Sequence, residues 1–309
     1  MRTLQFMAVV GAVATALVAS SPRAETVTVA SAGGADSAPS FIAKEEGFYA
    51  KHGLDANAIL MPLMPNIPPA MMANAVQIGA INPTTLLQAI DGGLDFVALS
   101  GGSVISHSLS NMAAVAGAQS GIKTPQDFVG KRIGVPGLGA VMHVMFRYWL
   151  TEKGVDFRKV NFVEVSLPSM RDLLSAKTVD GIVAIDPVMS QIVESNVGGM
   201  VWPLIPDMPE GKPVVLYAAP REWAEKHPKE VAAFRAAIAD GAAFLKTDPE
   251  KSREDLGKYL KFPPAVLKTI KIGVQEPHLD PAALGWWVDV MEKQGMLNTK
   301  IDVKKIIAD

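Results

Sequence analysis

The sequence predicts an α/β protein of two similar lobes, between which the chain crosses twice. Three observations carry this. Short apolar runs closed by glycine or proline alternate with stretches in which apolar residues recur every three to four positions, the pattern of strands alternating with helices in a mainly parallel sheet. That order of elements then repeats: FYAKHGLDANAIL (48 to 60) is echoed by RYWLTEKGVDFRKVNFVEV (147 to 165), and VQIGAINP (76 to 83) by DGIVAIDP (180 to 187), two echoes in the same order at a similar offset. Finally, Val214 to Ala219 reads as a strand returning to the first lobe after the second is complete.

The elements follow in order. Residues 1–24 read as a secretory signal peptide: Arg2 precedes an apolar run from Phe6 to Val18, and the small residues Ala19, Ser20 and Ser21 follow. The run is shorter than the ~20 residues a spanning helix needs, which favours cleavage over anchoring. TVTVASAGG, from Thr26, is an alternating strand broken by Gly33 and Gly34, and Ser37 with Pro39 marks a helix start. Ala56 to Met61 and Val76 to Ile81 are further strands, the second ending at Asn82-Pro83 before a helix carrying Leu86, Leu87 and Ile90. The first part of lobe one then spans 25–117, lobe two 118–213, and the return with its C-terminal helices 214–309. Thr124-Pro125 opens lobe two with a capped helix. Asp248-Pro249 and Asp280-Pro281 start helices in the tail, which is expected to cover the first lobe.

Lys131 to Trp149 is the most informative stretch. Ile133 to Val135 is a short apolar strand, Pro136, Gly137 and Gly139 break it, and Val141, Val144, Met145, Tyr148 and Trp149 stripe a helix. Backbone N–H groups at such a helix start suit an anion or a polar ligand head. In parallel sheets ligands gather at the carboxyl ends of strands. The expected cleft therefore lies between Ser37, Ala38, Pro39, Asn82, Thr84, Ser100 and Gly101 on one side and Gly139, Ala140, Val141, His143 and Asp186 on the other. Two joined lobes with facing loops describe a hinged clamp. Two of these residues stay open: Asp186 either binds a donor group of a ligand or caps the backbone before Pro187, and His143 either faces the cleft or packs on its helix.

Composition limits the chemistry. With 29 basic and 31 acidic residues and a net charge of −2, the chain has no basic surface for nucleic acid. It has no cysteine, hence no disulfide, Fe–S cluster, thiolate nucleophile or lipid-modified N-terminal cysteine. The five histidines lack metal-ligand spacing, and no nucleophile-elbow, zinc-helix or phosphate-loop motif occurs. Neither cofactor nor metal is expected.

AKEEGFYAKHGLDANAI (43 to 59), DFVGKRIGVPGLG (127 to 139), AIDPV (184 to 188) and EWAEKHP (222 to 228) together resemble the periplasmic binding proteins of nitrate, taurine and alkanesulfonate import, a family that includes thiamine-precursor binders. The resemblance covers nearly the whole chain after residue 24. It implies a venus-flytrap fold, a periplasmic monomer without lipid anchor, and a small-molecule ligand handed to a membrane permease driven by a separate ATPase. Related sulfonate binders often carry hydroxyls and a histidine in the second-lobe loop; here the run is Gly139-Ala140-Val141-Met142-His143, with methyl-bearing side chains in place of hydroxyls. No Arg or Lys occurs between Lys51 and Lys123 to clamp an anion, and the cleft segments hold no Trp or Tyr to stack a pyrimidine. Met71, Met72 and Met142 either line an adaptable apolar pocket or belong to the core. The related eukaryotic pyrimidine synthases use cysteines that this chain lacks. The reading is thus a solute-binding component for a sulfonate-like or other small, partly apolar molecule. A small α/β enzyme in the same cleft and a ligand-sensing subunit are the alternatives.

Overall fold

Two five-stranded sheets organise the chain in a computed structural model that describes residues 26–32, 35–61, 64–109 and 111–308. The expected signal peptide lies outside the described residues. The first sheet begins with β1 (Val27–Ala32), β2 (Ala56–Met61), β3 (Ile78–Ile81) and β4 (Phe96–Gly101), linked through α1 (Ala38–Glu45), α2 (Phe48–Lys51), α3 (Ile67–Met72) and α4 (Pro83–Asp91). The second holds β5 (Met112–Gly117), β6 (Arg132–Val135), β7 (Asn161–Glu164), β8 (Gly181–Ile185) and β9 (Gly198–Pro203), with α5 (Val141–Glu152), α6 (Met170–Ser175) and α7 (Val188–Glu194). The chain returns as β10 (Leu216–Pro220) and ends in α8 (Arg221–Lys226), α9 (Pro228–Thr247), α10 (Pro249–Gly257), α11 (Pro264–Thr269) and α12 (Pro281–Lys293).

Strand pairing makes the internal repeat explicit. β1 pairs in parallel with β2 and β3, as β6 does with β7 and β8. The order β2-β1-β3-β10-β4 in one sheet matches β7-β6-β8-β5-β9 in the other. In each, the fourth place is held by an antiparallel strand next to a crossing, β10 between β3 and β4, β5 between β8 and β9. This is the two-lobed α/β architecture the residues predict. One boundary needs correction: β5 belongs wholly to the second sheet, so the first crossing is 102–111, earlier than 117/118. Antiparallel pairing with β8, some seventy residues on, decides this, and no local pattern reveals it.

Helix starts follow the expected chemistry. The Asp248 carboxylate accepts from the Lys251 N–H (3.0 Å) and that of Asp280 from the Ala282 N–H (2.9 Å), each beside a proline that needs no donor partner. Thr124-Pro125 instead opens a single 3₁₀ turn, Pro125–Phe128, in which Asp127 accepts from the Lys123 and Thr124 N–H groups.

The tail covers more than the first lobe. Helix α9 lies on α1 and α2, so closely that a Cβ on Gly241 would stand 2.7 Å from the Pro39 carbonyl. Helix α12, by contrast, touches both α4 of lobe one and α5 of lobe two. Trp287, fully buried, donates its indole N–H to the Pro213 carbonyl in the second crossing (2.7 Å). Arg147 donates to the Gln294 carbonyl (2.8 Å), the Gln294 side chain donates to the Val144 carbonyl (3.0 Å), and Trp286 meets Tyr148 edge-on at 5.2 Å. Consequently one apolar cluster, including Leu86, Phe146 and Trp287, runs through both lobes.

Candidate functional site

The carboxyl ends of β1, β3 and β4 in one lobe and of β6, β7 and β8 in the other form the two lips of the interlobe cleft. Helices α4 and α5 begin there, so their unpaired first-turn N–H groups and positive dipole ends lie at the cleft. Gln88, one turn into α4, donates to the Gly139 carbonyl at 3.3 Å and joins the two sides. Gly139 takes φ +80°, and a Cβ there would stand 2.7 Å from the Gln88 amide nitrogen. Glycine thus serves both the turn and the close approach.

Several expected wall residues are occupied by the protein itself. Ala38 and Pro39 are buried, Ala38 in an apolar cluster with Leu245 and Leu256 and Pro39 beneath α9. The Ser37 carbonyl accepts from the Ser40 hydroxyl (2.9 Å) and from Tyr217 (3.3 Å). Ser100 donates to the Pro277 carbonyl (2.9 Å), and the backbone at Glu276 crosses Gly101 so closely that a side chain would not fit. The segment 273–278 therefore covers this end of β4. Asn82 donates its amide to the Val214 carbonyl (2.7 Å) and so ties the start of α4 to the second crossing. Thr84 is fully buried with its hydroxyl unpaired.

On the opposite lip, the glycine loop spends its donors internally. Leu138 donates its N–H to the Glu164 carboxylate (3.1 Å), and Gly139 donates to Nδ1 of His143 (2.8 Å). Accepting at Nδ1 places the proton of a neutral imidazole on Nε2, which is buried and unpaired. The ring stands edge-on to Phe162 at 4.4 Å. Burial first, and then the Arg147 charge, push the His143 pKa down to about 4. Of its two readings, the geometry fits the packed one. Asp186 behaves similarly: its carboxylate accepts from the Ser190 N–H (3.2 Å) and hydroxyl (2.6 Å), the capping arrangement. Ala140 and Val141 remain at the start of α5 as an apolar edge, with Val141 and Met142 buried in the cluster that spans the lobes. Met71 is likewise buried there, whereas Met72 is among the exposed hydrophobics.

Three residues outside the expected set carry polar groups into this region: Gln88, Asp36 and Gln275. Gln88 follows Thr84 by one helical turn and was legible from spacing. Asp36 directly precedes Ser37, but its surroundings are set by chain distant in sequence. Burial raises its carboxyl pKa, opposed by the Ser103 hydroxyl. Concavities of ≈ 250 Å³ near Gly117 and Lys177, and of ≈ 820 Å³ between Tyr148 and Trp286, contain none of these residues. The cleft is assigned by strand ends and helix starts, not by depth.

Comparison with known proteins bears on the family and the fold. The chain is 25% identical over 242 residues to the nitrate import ATP-binding protein NrtC of Synechocystis, covering 74% of this chain and 36% of that one. It is 28% identical over 230 residues to a Brucella abortus binding protein, covering 74% and 69%. The fold is shared with the periplasmic aliphatic sulphonate binding protein SsuA of Escherichia coli (TM-score 0.74, 18% identity, 92% of this chain and 98% of that one). It is shared too with the periplasmic nitrate-binding protein NrtA of Synechocystis (TM-score 0.69, 18% identity, 91% and 84%). The family model described as NMT1/THI5 like matches residues 34–252, well over half of the chain, and the chain belongs to that family.

Proposed function

We propose that this protein is the periplasmic solute-binding component of an ABC importer, which closes its two lobes on a small, partly apolar organic molecule and presents the closed form to a permease with its ATPase. The observation that carries the reading is the pair of crossings, 102–111 and 204–215, between two sheets of matching order whose strand ends share one cleft. Two such crossings are the kind of joint about which one lobe can hinge against the other, repacking as it turns the apolar cluster and the α12 contacts that span both lobes. Membership of the family and the names of the relatives support the same reading, as does the leader-like stretch at residues 1–24.

The loop chemistry bears on the ligand. An oxyanion needs several donors, and each one missing in a closed cleft costs about 1–3 kcal/mol. Here Leu138 and Gly139 already donate within the protein, and hydroxyls are absent at Ala140 and Val141. A sulfonate or nitrate therefore finds fewer partners than a less anionic solute.

The test is a thermal-shift screen of sulfonates, carboxylates, amines and heterocycles, followed by calorimetry and small-angle scattering. Support is a saturable single-site rise in melting temperature with a smaller radius of gyration. Conversion of a bound compound to a new product, seen by mass spectrometry, would overturn the binding reading in favour of an enzyme.

A further inference from the structure

Three polar side chains from distant segments meet on the hinge side of the cleft. Ser103, at the start of the first crossing, lies opposite Gln275 in an antiparallel bridge. The flanking bonds run from Val104 N–H to the Val274 carbonyl (2.9 Å) and from Glu276 N–H to the Gly102 carbonyl (2.8 Å). Ser103 and Gln275 are therefore a non-hydrogen-bonded pair, whose side chains stand close on one face. Gly273, two residues before Gln275, shares that face. A Cβ on Gly273 would lie 2.5 Å from Oδ1 of Asp36 and 3.0 Å from Cβ of Ser103, so the bare backbone there makes room for the carboxylate.

The polar atoms gathered here are under-used. Ser103 and Gln275 are 1% and 4% exposed. The Gln275 amide nitrogen donates to the Gly273 carbonyl (2.8 Å), which fixes the amide orientation, and its Oε1 is left buried and unpaired. The Ser103 hydroxyl lies against Asp36 without a hydrogen bond of good geometry. Among the described residues no Lys, Arg or His forms an ion pair with Asp36. The group thus offers three acceptors, a carboxylate, an amide oxygen and a hydroxyl, whereas the facing loop has given up two of its donors.

We propose that Asp36, Ser103 and Gln275 form a ligand subsite that takes a primary ammonium group. This rests on the solute-binding reading and adds to it the class of solute, an amine. An ammonium has three N–H donors and no acceptor, which matches in number the three acceptors carried by neighbouring residues here. Its charge compensates a half-buried carboxylate that has no cationic partner among the described residues.

The probe is methylammonium, the recognised group with almost no body, added to the full chain at about 0.1 M and compared with sodium and tetramethylammonium chlorides at equal ionic strength. The expected result is a methylammonium-specific rise in melting temperature of about 2–4 °C. In Asp36→Asn and Gln275→Met the affinity falls at least about tenfold and the rise disappears, with circular dichroism reporting that both variants are folded. Equal effects of the three salts on the wild type overturn the subsite, as does a methylammonium-specific rise that Asp36→Asn retains; either result leaves a cluster that only bonds within itself. A parallel titration with the small-molecule fraction of a cell extract separates this from the broader reading. If that fraction stabilises the wild type while methylammonium does nothing, the protein remains a solute binder and the ammonium subsite falls. If methylammonium binds and the extract does not, the subsite stands and the importer reading loses support.

Discussion

Acidification should weaken this protein through His143, and the size of the effect follows from where the ring sits. An exposed histidine titrates at 6.5, whereas burial beside Phe162 and the nearby Arg147 charge bring His143 to about 4. The unfolded chain therefore takes up a proton over a range in which the folded one does not, so stability falls as the pH drops from 6.5 towards 4 and then levels off. At 1.36 kcal/mol for each pH unit of separation, the full loss is about 3 kcal/mol, of which about 2 kcal/mol has accrued by pH 5. Carboxylates lose stability in acid as well, so the comparison must be with His143→Gln, which keeps a polar side chain but does not titrate. Urea midpoints and slopes for both proteins at pH 7.5, 6 and 5 give the difference directly, because the other titrating groups cancel. Wild type should lose about 2 kcal/mol more than the variant between pH 7.5 and 5. Parallel losses in the two proteins would refute the buried, neutral imidazole.

Other perturbations read other parts of the fold. Gly139→Ala places a Cβ 2.7 Å from the Gln88 amide at φ +80°, and should cost about 1–2 kcal/mol in denaturant unfolding while widening the cleft in scattering. Asp186→Ala removes the acceptor used by Ser190 and should lower stability by about 1 kcal/mol, with the ligand-induced rise in melting temperature retained; a lost rise would return Asp186 to the ligand. Trp287→Ala empties a fully buried site and unpairs the Pro213 carbonyl, so a loss of about 3–5 kcal/mol by chemical denaturation is expected.

Much of the fold was legible because it is local. VQIGAINP and DGIVAIDP declare themselves through an apolar run halted by Asn-Pro or Asp-Pro, and they become the equivalent strands β3 and β8. The helix starts at Asp248 and Asp280 were equally plain, since cap and proline sit side by side. The sheet to which Ala113 to Ala116 belongs was not, because its apolar pattern is the same whichever neighbours it finds. The cleft divides in the same way. Strand ends and helix starts placed Asn82 and Thr84 at the β3-to-α4 junction and Gly139 just before α5, but side-chain direction was out of reach. His143 turns to its own loop, Pro39 is covered by α9, and Ser100 reaches a carbonyl at Pro277. The cluster at Asp36 depends on the register of Ser103 against Gln275, more than 170 residues apart, and no spacing rule foretells such a pairing.

Helix α12 has a consequence for how tightly any solute is held. Through Trp286 and Gln294 it grips α5, while just beyond it Asn298 and Thr299 bond the Asp91 carboxylate at the end of α4. The angle between the lobes is thus written into a helix that lies outside the cleft. In the proposed closing motion, the apparent dissociation constant is the intrinsic one divided by the fraction of molecules already in the receptive geometry, so a smaller fraction means weaker binding. Substitutions along α12 would tune the solute concentration to which the protein responds and leave untouched the choice of solute, so that sensitivity and selectivity can change separately.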